Sequence, residues 1–197
     1  MVRRLGLTKW NHDRLTVGAA SSELFETDFL VPLDTTLAHS IASKYPFIRV
    51  DGALNFRDLG GLPIAGAPAL QTRPGLVFRS GQISALTANG KEALRGLGVR
   101  TVFDFRSSRE FKKYNAPIPS VLDIEILHAP VFDDKAFTPD EIARRHNMYG
   151  EGKEGFLSAY RDIMDHGGPV FAKVIRRIIA RPESPILFHC AGVFIPE

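Results

Sequence analysis

The only cysteine of this 197-residue chain, Cys190, follows His189 at the end of the apolar run Ile186-Leu187-Phe188. An apolar run set between a proline break and a small-residue turn predicts a short strand buried on both faces of a parallel sheet. The carboxyl end of such a strand is where open α/β sheets place ligands. A cysteine there, followed by a loop of backbone N–H groups and an arginine six residues on, would make a phosphate-cleaving site. The amides and a helix N-terminus would hold the anion and keep the cysteine as thiolate, and the guanidinium would grip two phosphate oxygens. Here the sixth residue after Cys190 is Pro196, and the loop begins Ala191-Gly192-Val193. Taken alone, a single cysteine after an apolar strand is more often an inert core residue than a nucleophile.

Other polar clusters could face the same cleft. Asn55-Phe56-Arg57-Asp58-Leu59-Gly60-Gly61 is a charged turn closed by two glycines, and an ordinary turn would look the same. Asp104 and Arg106 end an apolar strand, where they either take part in chemistry or form a buried ion pair joining strand to helix. Arg176-Arg177 reads most simply as the solvated side of a helix.

The elements that must position these residues alternate. Strands are expected near 47–50, 76–78, 99–105, 124–131 and 186–189. Helices are expected over 36–44, from Thr87 as N-cap to Leu97 with Gly98 as its stop, and over 107–114, where Ser107 and Glu110 form a capping box. Thr138, Pro139 and Glu141 start another helix; two more follow, over 154–165 and 170–180, separated by Gly167-Gly168-Pro169. The pattern is an α/β fold, a predominantly parallel central sheet flanked by helices, with the last strand central and the carboxyl ends converging. Residues 1–45 read as an arm and covering segment, and 46–197 as the domain.

Composition sets limits. With 44% hydrophobic residues the chain suits one soluble domain with a sizeable core. Its 25 Lys and Arg are interspersed with 22 Asp and Glu, so the net charge of +3 is no nucleic-acid footprint. One cysteine fits a reducing compartment, which makes the cytoplasm the expected location. No apolar stretch approaches the ~20 residues of a membrane span.

Four motifs fall in one order: Asn-Phe-Arg-Asp-Leu-Gly-Gly at 55–61, Phe-Arg-Ser-Gly at 78–81, Leu-Gly-Val-Arg-Thr-Val-Phe-Asp-Phe-Arg-Ser at 97–107 and Phe-His-Cys at 188–190. The set resembles the atypical tyrosine phosphatases of fungi and bacteria, over about residues 45–192. That resemblance implies a metal- and cofactor-free mechanism in which a thiolate attacks phosphorus, forms a phosphocysteine and is freed by water. It places the nucleophile at Cys190, with His189, Ala191 and Gly192 around it. Asp104 matches the acidic position and Arg106 the basic one of the family's Asp-x-Arg-Ser segment. Asn55, Arg57 and Asp58 match the glycine-closed turn at the rim, and His128 matches the position before the proline of a loop over the site. The implied partners are phosphorylated proteins or phosphoinositides.

The family's loop continues to Gly-Lys-Asp-Arg, whereas this sequence reads Val193-Phe194-Ile195-Pro196. Lys, Asp and Arg cannot be carried over. The expectation is a domain cut short within its phosphate loop, as a shortened form or through a misread gene, with impaired turnover and a bare apolar surface where a helix would follow. The alternative is a pseudophosphatase that binds a phosphorylated ligand without hydrolysing it. A rhodanese-like sulfur carrier also places a cysteine loop after a strand, but the turn at 55–61 argues against it.

Overall fold

The computed structural model describes residues 34–113, 115–132 and 138–191. Residues 1–33, most of the segment expected as an arm and cover, lie outside the described residues, as do Gly192 and the residues after it.

The first described helix, α1 (Thr35–Ala42), is capped by Asp34, whose side chain accepts from the Leu37 amide. Five strands then form the main sheet: β1 (Arg57–Asp58), β4 (Val77–Ser80), β5 (Thr101–Asp104), β6 (Glu125–His128) and β7 (Ile186–His189). Their order is β1-β4-β7-β5-β6, so the last strand is central, as its apolar sequence requires. β7 is parallel to both β4 and β5, β5 is parallel to β6, and β1 alone runs antiparallel at the edge. The fold is α/β with a mixed, predominantly parallel sheet.

Alternation along the strands builds two cores. Phe78, Val102 and Leu187 join Leu94 of α2 (Ala88–Gly96) on one face. Phe103 and Ile186 join Val170 and Val174 of the long helix α5 (Gly152–Ala180) on the other. Thr87 caps α2 by accepting from the Gly90 amide, and Gly98 takes φ 73° just past its end, as the sequence predicts. The capping box of α3 (Ser108–Lys113) also forms, with the Ser107 amide donating to Glu110 Oε2 at 2.6 Å and the Glu110 amide to Ser107 Oγ at 3.3 Å.

Three sequence expectations change. The two helices expected around Gly167-Gly168-Pro169 are one 29-residue helix. Gly167 is buried against the Phe171 ring, where a Cβ would come within 2.3 Å of Cε2, so its role is packing rather than termination. Pro169 is accommodated inside the helix because Val170 and Val174 anchor the flanking turns in the core. The strand expected at 47–50 reduces to isolated bridges, Phe47 to Arg57 and Val50 to Ala53. The Pro- and Gly-rich stretch between β1 and β4 contains a two-stranded hairpin, β2 (Pro63–Ile64) with β3 (Ala67–Gln71). A further helix, α4 (Pro139–Gly150), starts from the Thr138 cap and packs against α5. Leu157, Tyr160, Met164, Ile175 and Ile179 of α5 remain exposed at helical spacing. Among the described residues no helix is long and apolar enough to cross a membrane.

Candidate active site

β7 carries His189 to the carboxyl end of the central strand, and the exposed Cys190 follows. Both neighbouring strands end at the same level: Ser80 and Asp104 are the register partners of His189. The Phe105 amide donates to the His189 carbonyl at 2.9 Å, which ties the Asp-Phe-Arg-Ser segment to the strand that delivers the cysteine.

Against His189, the residue before Cys190, lies a buried polar cluster. Arg106 Nη2 donates to Asp104 Oδ2 at 2.7 Å and Nε to Oδ1 at 3.0 Å, with both side chains at most 1% exposed. The Arg106 amide also donates to Asp104 Oδ1, at 3.1 Å. The remaining guanidinium nitrogen donates to Ser84 Oγ at 2.9 Å and the Ala116 carbonyl at 3.1 Å. A fully buried charge pair needs such complete satisfaction to be tolerated.

His189 Nε2 approaches Asp104 Oδ2 to 3.4 Å. That separation is an electrostatic contact rather than a close hydrogen bond. Neither ring nitrogen has a close hydrogen-bond partner among the described residues. Burial pushes the Asp104 carboxyl upward, but the contacts from His189 and Arg106 outweigh it and hold the pKa at about 2. The carboxylate is therefore a permanent anion under the histidine that precedes the cysteine.

The turn at 55–61 divides between structure and rim. Asp58 is buried and used by the backbone: Oδ1 accepts from the Gly60 amide at 2.8 Å and Oδ2 from the Gly75 amide at 2.6 Å. It also acts on Tyr45, whose phenol burial and the Asp58 carboxylate together push up to about 12. Asn55 adopts φ 53°, a left-handed conformation that Asn tolerates, and accepts from Arg57 Nη1 at 2.9 Å. Asn55 and Arg57 thus stand together at the same end of the sheet as Cys190, while Asp58 points into the turn.

His128 Nε2 lies 2.7 Å from the Arg106 carbonyl, which links β6 to the same cluster. Arg177 pairs with Glu125 and Thr101 at the opposite end of the sheet, so its role there is to hold α5 to β5 and β6. Arg79 was missed by sequence reasoning. Its position opposite Arg57 could have been found only from the strand pairing.

A cleft of about 600 Å³ is lined by Gly98, Arg100 and the segment from Arg181 to Pro185. It lies where β5 and β7 begin, the wrong end of a parallel sheet for this chemistry. No group of three metal-ligating side chains occurs among the described residues.

The predominantly parallel sheet flanked by helices, with a His-Cys step after its central strand, is the fold of a phosphatase-type α/β domain. Comparison with known proteins agrees: residues 48–192 match the family model described as the tyrosine phosphatase family, and the chain belongs to that family. It is 36% identical over 164 residues to the triple specificity protein phosphatase PtpB of Mycobacterium tuberculosis, covering 72% of this chain and 56% of that protein. It is 31% identical over 146 residues to a Cupriavidus necator protein named "Putative tyrosine-protein phosphatase H16_A0669", covering 74% of this chain and 51% of that protein. The chain spans about half the length of the curated relatives it matches.

Proposed function

We propose that this chain is a phosphomonoester hydrolase domain that acts through Cys190, with a phosphorylated protein or phosphoinositide as substrate. The observation that carries this reading is the placement of the exposed Cys190 directly after His189, which ends the central strand and lies against the Asp104–Arg106 pair. The Cys190 thiolate attacks phosphorus; an S–P bond forms as the P–O bond to the leaving group breaks, and the leaving oxygen takes up a proton. Water then attacks phosphorus and releases inorganic phosphate and the thiolate. Asp104 acts through His189: it is a positioning residue, since its carboxylate is fully buried. The lone cysteine suits a reducing compartment such as the cytoplasm.

Pro196 supports a second reading. It stands at the sixth position after Cys190, where the family pattern has the phosphate-clamping arginine. Without that guanidinium the chain would retain a phosphorylated ligand and turn it over slowly, as a pseudophosphatase. Hydrolysis of para-nitrophenyl phosphate by the purified chain, Cys190→Ser, and a chain carrying Val193→Gly, Phe194→Lys, Ile195→Asp and Pro196→Arg separates the two. Turnover that needs the repaired loop as well as Cys190 supports the second reading for the chain as it stands and keeps Cys190 as the nucleophile. Robust turnover by the chain as it stands, lost in Cys190→Ser, would show that the arginine is dispensable. Turnover that Cys190→Ser leaves unchanged would remove Cys190 from the chemistry.

A further inference from the structure

Arg57 and Arg79 are register partners in the antiparallel pair of β1 and β4, so their side chains stand on one face of the sheet. Like charges directly opposite one another across a ladder are destabilising. Arg57 is fixed in place by neutral groups: Asn55 Oδ1 accepts from it, and its guanidinium carbon lies 5.4 Å from the Phe47 ring centroid. Arg79 has no hydrogen-bond or ion-pair partner among the described residues, although it is half-buried. Burial, and after it the charge of Arg79, lowers the pKa of Arg57. The pair is thus two guanidinium groups on one face of the sheet with no counter-charge among the described residues.

Its location is specific. Arg79 is the register partner of Phe188, two residues before Cys190. A strand spacing of ~4.8 Å and a rise of ~3.3 Å per residue place the Arg79 Cα about 8 Å from that of Cys190, and the Arg57 Cα about 12 Å away. Both distances fall within the span of an arginine side chain and a small ligand.

We propose that Arg57 and Arg79 form a second anion subsite beside Cys190. It takes the second phosphate of a compact substrate that carries two phosphates on one small carbon scaffold. The subsite reading rests on Cys190 as the site of the first phosphate. The missing counter-charge is then the ligand itself, and Asn55 serves to aim Arg57 toward it.

The test uses the whole chain and inorganic pyrophosphate, titrated calorimetrically at low ionic strength. Arg57→Gln and Arg79→Gln each weaken binding about tenfold or more, whereas the distant Lys173→Gln leaves it unchanged. The bisphosphate of 1,3-propanediol slows alkylation of Cys190 by iodoacetamide more than the monophosphate does, and Arg79→Gln abolishes the difference. Because the pair is repulsive, Arg79→Gln melts at the wild-type temperature or above. Absence of pyrophosphate binding to the wild-type chain, equal binding by Arg79→Gln, equal protection by the two propanediol phosphates or a lowered melting temperature in Arg79→Gln would each overturn the subsite. Stronger protection by a doubly phosphorylated peptide than by the propanediol bisphosphate would overturn the compact scaffold. Turnover that Cys190→Ser leaves unchanged, in a chain that still binds pyrophosphate through both arginines, would count against Cys190 chemistry and leave the arginine pair standing.

Discussion

His189 Nε2 lies 3.4 Å from Asp104 Oδ2, and the two residues are register partners on adjacent strands with fully buried side chains. The contact links the residue before the cysteine to an anion that Arg106 already neutralises. Asp104→Asn would leave Arg106 as a buried cation without its carboxylate, at a cost of ~3–5 kcal/mol. Urea denaturation at neutral pH measures it. A loss under about 1 kcal/mol would mean that the cluster relaxes or hydrates.

The same contact predicts a pH dependence. Asp104 has its pKa held at about 2, below the ordinary 3.8. A carboxylate depressed on folding contributes stability that is complete above its unfolded pKa and is lost as pH falls through the folded one. The window is therefore about pH 4 down to pH 2, and the size is roughly 2 kcal/mol. Denaturation midpoints followed through this range should fall more steeply in the wild-type chain than in Asp104→Asn. Parallel curves would show that the carboxylate gains nothing from folding.

Two glycines distinguish packing from propensity. A Cβ on Gly60 would lie 2.2 Å from the Pro74 Cα, so Gly60→Ala must push two backbones apart. Gly96 ends α2 with nothing within 4 Å of a Cβ, and Gly96→Ala should stabilise by ~0.5–1 kcal/mol. Thermal melts should move in opposite directions, with the Gly60→Ala loss at several times the Gly96→Ala gain. A neutral Gly60→Ala would show that the turn at 55–61 adapts.

Pro169 lies inside α5, where it removes one backbone hydrogen bond. Proline in a helix interior is worth ~3 kcal/mol less than alanine, and part of that should be recovered by Pro169→Ala, about 1 kcal/mol or more in chemical denaturation. A loss of stability instead would mean that Pro169 helps to seat Phe171 against Phe105.

Much of this fold was legible because it rests on local signals. The apolar run at Ile186 to Phe188 announced a central strand, and Thr87, Gly98, Ser107 and Glu110 marked helix ends through short-range hydrogen bonds. Gly167-Gly168-Pro169 misled because glycine and proline break helices by propensity, whereas tertiary packing of Val170 and Val174 decides here. The hairpin of β2 and β3 was hidden for a related reason: its proline and glycine content is tolerated where a short pair lies outside the main sheet. At the candidate site, Asp104 and Arg106 were nameable from their motif. Their pairing with each other is local and was one of the two readings the sequence offered, whereas the approach of His189 depends on register, as does the opposition of Arg57 and Arg79, and register is not written in a single strand's pattern.

The central place of β7 also governs how the chain can be born. β4 and β5 do not touch each other; each is bonded to β7, which begins about eighty residues after β5 ends. During synthesis at ~5–20 residues per second, the two halves of the sheet wait for several seconds with their inner edges unsatisfied. They cannot close on one another until the ribosome has released Ile186 to His189. The strand that presents the cysteine is therefore also the keystone of assembly, and until it arrives the unpaired edges of β4 and β5 are open to pairing with other chains.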